Sequence, residues 1–139
     1  MSTTLVIGLP GTGKTTYVKE HRGNALVYDL DYIKAALTYS DVHSHDDIAA
    51  RKVADSFLSF FAIYAPIYDA RDLYIIRTGP KLEEVAALKP NKLVVMTKEY
   101  DISGRGDYHD DVDKELYNAR ITACIKWCDK NGVDVEFKE

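Results

Sequence analysis

Residues Gly8 to Thr15 read Gly-Leu-Pro-Gly-Thr-Gly-Lys-Thr and match the pattern G-x-x-x-x-G-K-[ST] at every fixed position. Phosphate oxygens need many hydrogen-bond donors at close range. Glycines let the backbone wrap around such oxygens with its N–H groups turned inward, and a helix starting near Lys14 adds its positive end. Gly8, Pro10, Gly11, Thr12, Gly13, Lys14, Thr15 and Thr16 are therefore expected to bind the phosphates of a nucleoside triphosphate. Lys14 is expected to reach the β- and γ-phosphates, and the Thr15 hydroxyl to coordinate a magnesium ion. The alternative, a glycine-rich turn with no ligand, is disfavoured by the complete match and by its place between a predicted strand and a predicted helix. ATP is expected over GTP, because Thr97-Lys98-Glu99-Tyr100 comes nearest to the guanine-reading pattern Asn/Thr-Lys-x-Asp and lacks its aspartate.

A second group of residues follows in Tyr28-Asp29-Leu30-Asp31-Tyr32-Ile33-Lys34. Two carboxylates just beyond a second strand lie close to where the phosphate loop belongs in an alternating α/β chain. Asp29 could support the magnesium hydration shell. Asp31 could accept the proton of an acceptor hydroxyl as it attacks the γ-phosphate. The simpler reading is that Asp29 stops a strand and Asp31 caps a helix.

These side chains need a scaffold, and the hydrophobic pattern supplies one. Thr3 to Gly8, Ala25 to Asp29, Leu73 to Ile76, Leu93 to Met96 and Val133 to Phe137 read as strands. Helices are expected over Lys14 to Glu20 and Asp31 to Leu37, with another from Ile48 to about Ala65 ended or kinked at Pro66. In that third helix Val53, Phe57, Phe60, Phe61 and Tyr64 recur at helical spacing. A short helix follows Pro80, and a long one carries Val112, Leu116, Ile121, Cys124 and Cys128 before Asn131-Gly132. The predicted fold is α/β: a three-layer P-loop NTPase architecture with a mainly parallel sheet of about five strands. Its site belongs at the carboxyl ends of the strands.

At 139 residues, with 46% apolar and 29% charged residues, the chain is expected to form one soluble domain. No apolar run approaches the roughly 20 residues of a membrane helix, and a cytoplasmic location is expected. Eighteen basic against 22 acidic side chains give a net charge of −4. A general electrostatic grip on nucleic acid is thus unsupported, although a local basic groove is compatible with that balance. Cys124 and Cys128, four apart on one helix, fit a shared buried face better than a disulfide or metal site.

With these motifs the chain resembles the small P-loop kinases related to polynucleotide kinase and the zeta toxins, closest in look to compact P-loop ATPases encoded by bacteriophages. In that family a GxPGxGKST-like loop is followed, after the second strand, by Asp-x-[Ile/Leu]-Arg, whose aspartate acts as general base and whose arginine helps hold the acceptor. Asp31-Tyr32-Ile33-Lys34 occupies that segment here. Lys34 keeps the arginine's charge and loses its planar fork. The resemblance implies an acceptor-binding role for Lys34. The Asp-Leu-Asp run, His43-Ser44-His45 and Ile76-Arg77-Thr78-Gly79-Pro80 look like features of the phage subgroup.

The third strand lacks the terminal aspartate with which many P-loop ATPases support magnesium, and Asp72 stands at its wrong end. This favours a kinase-like protein over a motor ATPase, with Asp29 or Asp31 as the acidic partner of the metal. Arg77 and Thr78 emerge at the right end, where they could bind an acceptor phosphate or line the cleft; the alternative is a solvent-facing arginine. Residues 98–111 form a candidate lid in which Gly104 and Gly106 flank Arg105, a guanidinium placed to meet charge on the transferring phosphoryl group. A surface loop with an incidental arginine is the other reading. His43, His45 and His109, with Asp46, Asp47, Asp110 and Asp111, read as loop and capping residues rather than a transition-metal site. The expected function is a magnesium-dependent phosphotransferase using Lys14, Asp31 and Arg105. Its acceptor is a nucleoside, nucleotide, nucleic-acid 5′-hydroxyl or other small molecule. The alternative is a nucleotide-dependent switch with slow hydrolysis.

Overall fold

The structure, a computed structural model, describes residues 2–42, 47–68, 71–98 and 111–139, with only the backbone of 111–113. Five strands form one sheet: β1 (Thr3–Gly8), β2 (Leu26–Asp29), β3 (Leu73–Arg77), β4 (Lys92–Met96) and β5 (Asp134–Lys138). All neighbours are parallel, in the order β2-β3-β1-β4-β5. The central strand β1 is buried along its whole length, which accounts for its near-continuous apolar sequence. The predicted three-layer α/β architecture is the one observed.

Five helices connect and flank the strands: α1 (Lys14–His21), α2 (Leu30–Thr38), α3 (Ile48–Tyr68), α4 (Leu82–Leu88) and α5 (Asp111–Lys130). Side chains alternate across each strand and so divide the core in two. One face presents Val6, Ile76, Val94 and Met96 to Tyr17 and Val18 of α1. The other presents Leu5, Ile7, Ile75, Leu93 and Val95 to Leu58 of α3, Val85 of α4 and Ile121, Cys124 and Cys128 of α5. Both cysteines are free and fully buried, and desolvation pushes the Cys124 thiol up to about 12. Packing is their role.

Two expectations need correction. Asp29, not Asp31, is the N-cap of α2; its Oδ1 accepts the Asp31 backbone N–H at 3.2 Å. The extended backbone of Asp29 (φ −134, ψ 110) is that of a cap, whereas Asp31 already lies in the first helical turn. Second, α3 runs two residues past Pro66, since a proline in the closing turn removes only one intrahelical bond. The aromatic series of α3 lies on a helix, as its spacing predicts, and most of it faces away from the core. Ala54 and Leu58 are buried and Phe61 packs on the core, but Val53, Phe57, Phe60 and Tyr64 are exposed. The helix covers the β2 edge of the sheet, so only a narrow part of its circumference meets the core. Tyr28 ties the two together by donating its hydroxyl to the Ala54 carbonyl at 2.6 Å. Asp47 caps the start of α3 by accepting the Ala50 N–H at 3.0 Å.

Candidate functional site

The loop between β1 and α1 is shaped by sterics at its glycines. A Cβ on Gly8 would sit 2.8 Å from Thr12 Oγ1 and 3.0 Å from the Met96 carbonyl oxygen, so no side chain fits there. Gly13 precedes α1 with φ 89, in the left-handed region that other residues rarely adopt. Inside the loop, the buried Thr12 donates its hydroxyl to the Leu9 carbonyl at 2.7 Å. Lys14 Nζ donates to the carbonyls of Gly8 at 2.8 Å and Leu9 at 2.9 Å. No side chain caps α1, and its first-turn N–H groups have no acceptor within the helix.

The loop opens onto a cavity of about 300 Å³ at the carboxyl ends of β1, β2 and β3. Gly11 to Thr16 border it on one side, Asp29 and Asp31 on another, and Arg77 and Thr78 on a third. Gly8 and Pro10 of the loop are buried and do not border the cavity. The two sequence motifs meet at one contact. Thr15 Oγ1 donates to Asp29 Oδ2 at 2.9 Å, joining residues 14 apart in the chain. Alternation along β2 explains it, since Val27 packs on the α1 face and Asp29, two residues on, points the same way. Burial pushes the Asp29 carboxyl up from its ordinary value, and the Thr15 hydrogen bond opposes that shift.

Arg77 borders the cavity as expected, but the same alternation turns its guanidinium toward α3 and α4. Ile76 faces α1, so its neighbour faces α3 and α4, where Arg77 makes a two-pronged contact with Glu84 (Nε–Oε2 3.0 Å, Nη2–Oε1 2.8 Å). Its Nη2 also lies 2.8 Å from Asp55 Oδ1. The side chain anticipated at an acceptor phosphate is instead engaged in tying β3 to both helices. Lys34, only 4% exposed, is not among the residues bordering the cavity. Thr78 does border it, and its carbonyl accepts the Gly8 N–H at 3.3 Å. Asp72 stands at the opposite end of the sheet and accepts the Ser2 N–H, as its position before β3 requires.

Lys19 and Tyr32 are site residues that sequence reasoning gave no role. Lys19 Nζ donates to Tyr32 Oη at 2.9 Å and lies 5.1 Å from the ring centroid, joining α1 to α2 at the cavity rim. Their signal is positional: Lys19 is one helical turn after Thr15, and Tyr32 follows Asp31 directly.

Arg105 and residues 99–110 of the candidate lid lie outside the described residues, as do His43, His45, Asp46, His109 and Asp110. Among the described residues no group of three or more His, Cys, Asp or Glu side chains could hold a metal ion. A magnesium ion carried in with phosphates needs less from the protein: one or two oxygen ligands complete its shell. Thr15 and Asp29 offer that pair of hard oxygen donors, in mutual contact at the cavity wall. No described helix is long and apolar enough to cross a membrane. Comparison with known proteins found no family model and no curated protein that matches the chain.

Proposed function

We propose that the chain is a small phosphotransferase that binds a nucleoside triphosphate, ATP by preference, in the Gly8–Thr15 loop and passes its γ-phosphate to a hydroxyl acceptor. The observation that carries this reading is the Thr15–Asp29 hydrogen bond, with Asp31 bordering the same cavity two residues later. The loop hydroxyl and both carboxylates thus border one cavity. Lys14 and the first-turn N–H groups of α1 bind and orient the phosphates. Thr15 and Asp29 would hold magnesium, which supplies charge neutralisation at the β- and γ-oxygens. Asp31 takes the acceptor proton as the new oxygen–phosphorus bond forms and the bond to the β-phosphate oxygen breaks.

A second reading, a nucleotide-dependent switch with slow hydrolysis, is favoured by the engagement of Arg77 with Glu84 and Asp55 and by the burial of Lys34. Neither cation is then placed to hold an acceptor phosphate: Arg77 is held by the two carboxylates, and Lys34 lies away from the cavity border. Incubation with γ-labelled ATP, magnesium and a panel of nucleosides, nucleotides and 5′-hydroxyl oligonucleotides separates the readings. Label on an acceptor supports transfer, and slow release of inorganic phosphate alone supports the switch.

A further inference from the structure

The sheet face covered by α1 is finished differently on its two sides. Beyond α1 on the β4–β5 side, Glu136 Oε2 meets Lys92 Nζ at 2.6 Å and Glu136 Oε1 meets Lys138 Nζ at 3.0 Å. These charges are the ordinary treatment of a sheet surface that meets water. On the β2 side, α1 and α2 stand apart over Val27 and Ile76 and leave a cavity of about 490 Å³. Val18 forms one wall and Ile33 and Ala36 the other. The volume falls in the range of small-molecule sites, roughly 300–1,000 Å³, which combine apolar walls with a few polar groups.

Those polar groups are concentrated where the two cavities join. Thr15, Asp29, Lys19 and Tyr32 border both the groove and the phosphate-loop cavity. An occupant therefore lays an apolar body along the groove and turns a polar group toward the loop. Thr15 marks the magnesium and γ-phosphate side of the loop, so that polar group arrives where transfer takes place. The cations beside the groove hold the protein's own oxygens. Lys19 donates to Tyr32, and Arg22 Nε donates to the Ala25 carbonyl at 3.1 Å. The apolar walls and the Asp29 carboxylate at the head of the groove favour an uncharged occupant over an anion.

We propose that this groove binds the body of the phosphate acceptor, an uncharged molecule of nucleoside size, whose hydroxyl points to the Thr15–Asp29–Tyr32 junction. The inference rests on the phosphotransfer reading above. In the reaction the acceptor oxygen bonds to the γ-phosphorus, the bond from that phosphorus to the β-phosphate oxygen breaks, and the hydroxyl proton passes to Asp31. A nucleoside diphosphate leaves.

Methyl NMR of the full chain with magnesium and ADP tests it, using adenosine and cytidine as probes and their 5′-monophosphates as charged controls. The nucleosides are expected to shift the methyls of Val18, Val27, Ile33 and Ile76. Ala36 is exposed, so Ala36→Trp fills the groove at little cost to the fold. It should weaken nucleoside binding at least ~10-fold and leave ADP affinity within about 2-fold. The wild-type shifts decide the matter even where the tryptophan variant does not fold. ADP binding that depends on Lys14, with no nucleoside shift at these methyls, overturns the groove and leaves the phosphate-loop reading standing. Monophosphates that bind ~10-fold tighter than nucleosides overturn the uncharged class. Nucleoside binding untouched in folded Ala36→Trp overturns the location, and failure of wild-type protein to bind ADP removes both readings.

Discussion

The β2 side and the β5 side of the sheet begin from the same geometry and end with opposite surfaces. On the β5 side, Lys92, Glu136 and Lys138 lie on the same face as Val94 and Met96 and cover the strand with ion pairs. On the β2 side, the corresponding strip is Val27 and Asp29, with an apolar groove below and a buried carboxylate in contact with Thr15 at the start of α1 above. Charged, solvated strips stabilise little and tolerate change. A half-buried apolar strip beside a desolvated aspartate is costly to maintain, and function accounts for that cost better than stability does. If this is right, changes on the β2 side should damage activity far more than folding. On the β5 side they should do little to either.

The sharpest way to break the comparison is Asp31→Asn, which keeps the side-chain shape and removes the base. With Asp29 as the actual cap of α2, folding has little reason to suffer. Label transfer to the acceptor should fall roughly 10²–10⁴-fold while ATP affinity changes little. If Asp31 serves magnesium instead, affinity should fall at limiting metal and recover as magnesium is raised. A variant normal in both respects would show that Asp31 is only a residue of the first helical turn.

Lys14→Ala comes next. Losing a charge-assisted contact to phosphate should cost about 2–3 kcal/mol, roughly 100-fold in nucleotide affinity by calorimetry. The fold should survive, because the bonds from Lys14 to the carbonyls of Gly8 and Leu9 stay within its own loop. Unchanged affinity in a folded Lys14→Ala protein would falsify the phosphate-loop assignment.

Glu84→Ala probes the opposite pattern, structure without chemistry. It removes both prongs of the contact with Arg77, whose side chain is 16% exposed, and leaves Asp55 as the guanidinium's carboxylate partner. Stability in urea should drop by about 1–3 kcal/mol, with nucleotide affinity kept. A loss of affinity without loss of stability would return Arg77 to the site.

The smallest effect is expected from Glu136→Gln, at most ~0.5 kcal/mol and weaker still in high salt. Lys92 and Lys138 hold the Glu136 carboxyl below its ordinary 4.5. Its contribution is therefore present above that pH and is lost as pH falls through the lower folded value. Denaturation curves of the two proteins should thus converge in acid, and a difference that grows there would contradict the pairing.

Some of this was legible in the chain. The strand, loop and helix around Gly8 to Thr15 come out as expected because their signals are local, and β1 has the predicted bounds because a strand buried on both faces is nearly continuously apolar. Cys124 and Cys128 likewise share a buried helix face. The aromatic residues of α3 marked a helix correctly, but period 3.6 identifies a face without telling whether the sheet beneath is wide enough to cover it.

Within the described residues, what the sequence determined was therefore local: which segments are strands and helices, where the chain turns, and that a loop of glycines and one lysine suits phosphate. The tertiary structure decided which distant residues meet. Placing β3 between β1 and β2 sets the α1-facing side of β2 against the loop, so Asp29 reaches Thr15 while Arg77, one step out of phase with Ile76, turns to Asp55 and Glu84. Side-chain alternation is written in each strand, but the neighbour it faces depends on strand order, and order is a property of the whole sheet.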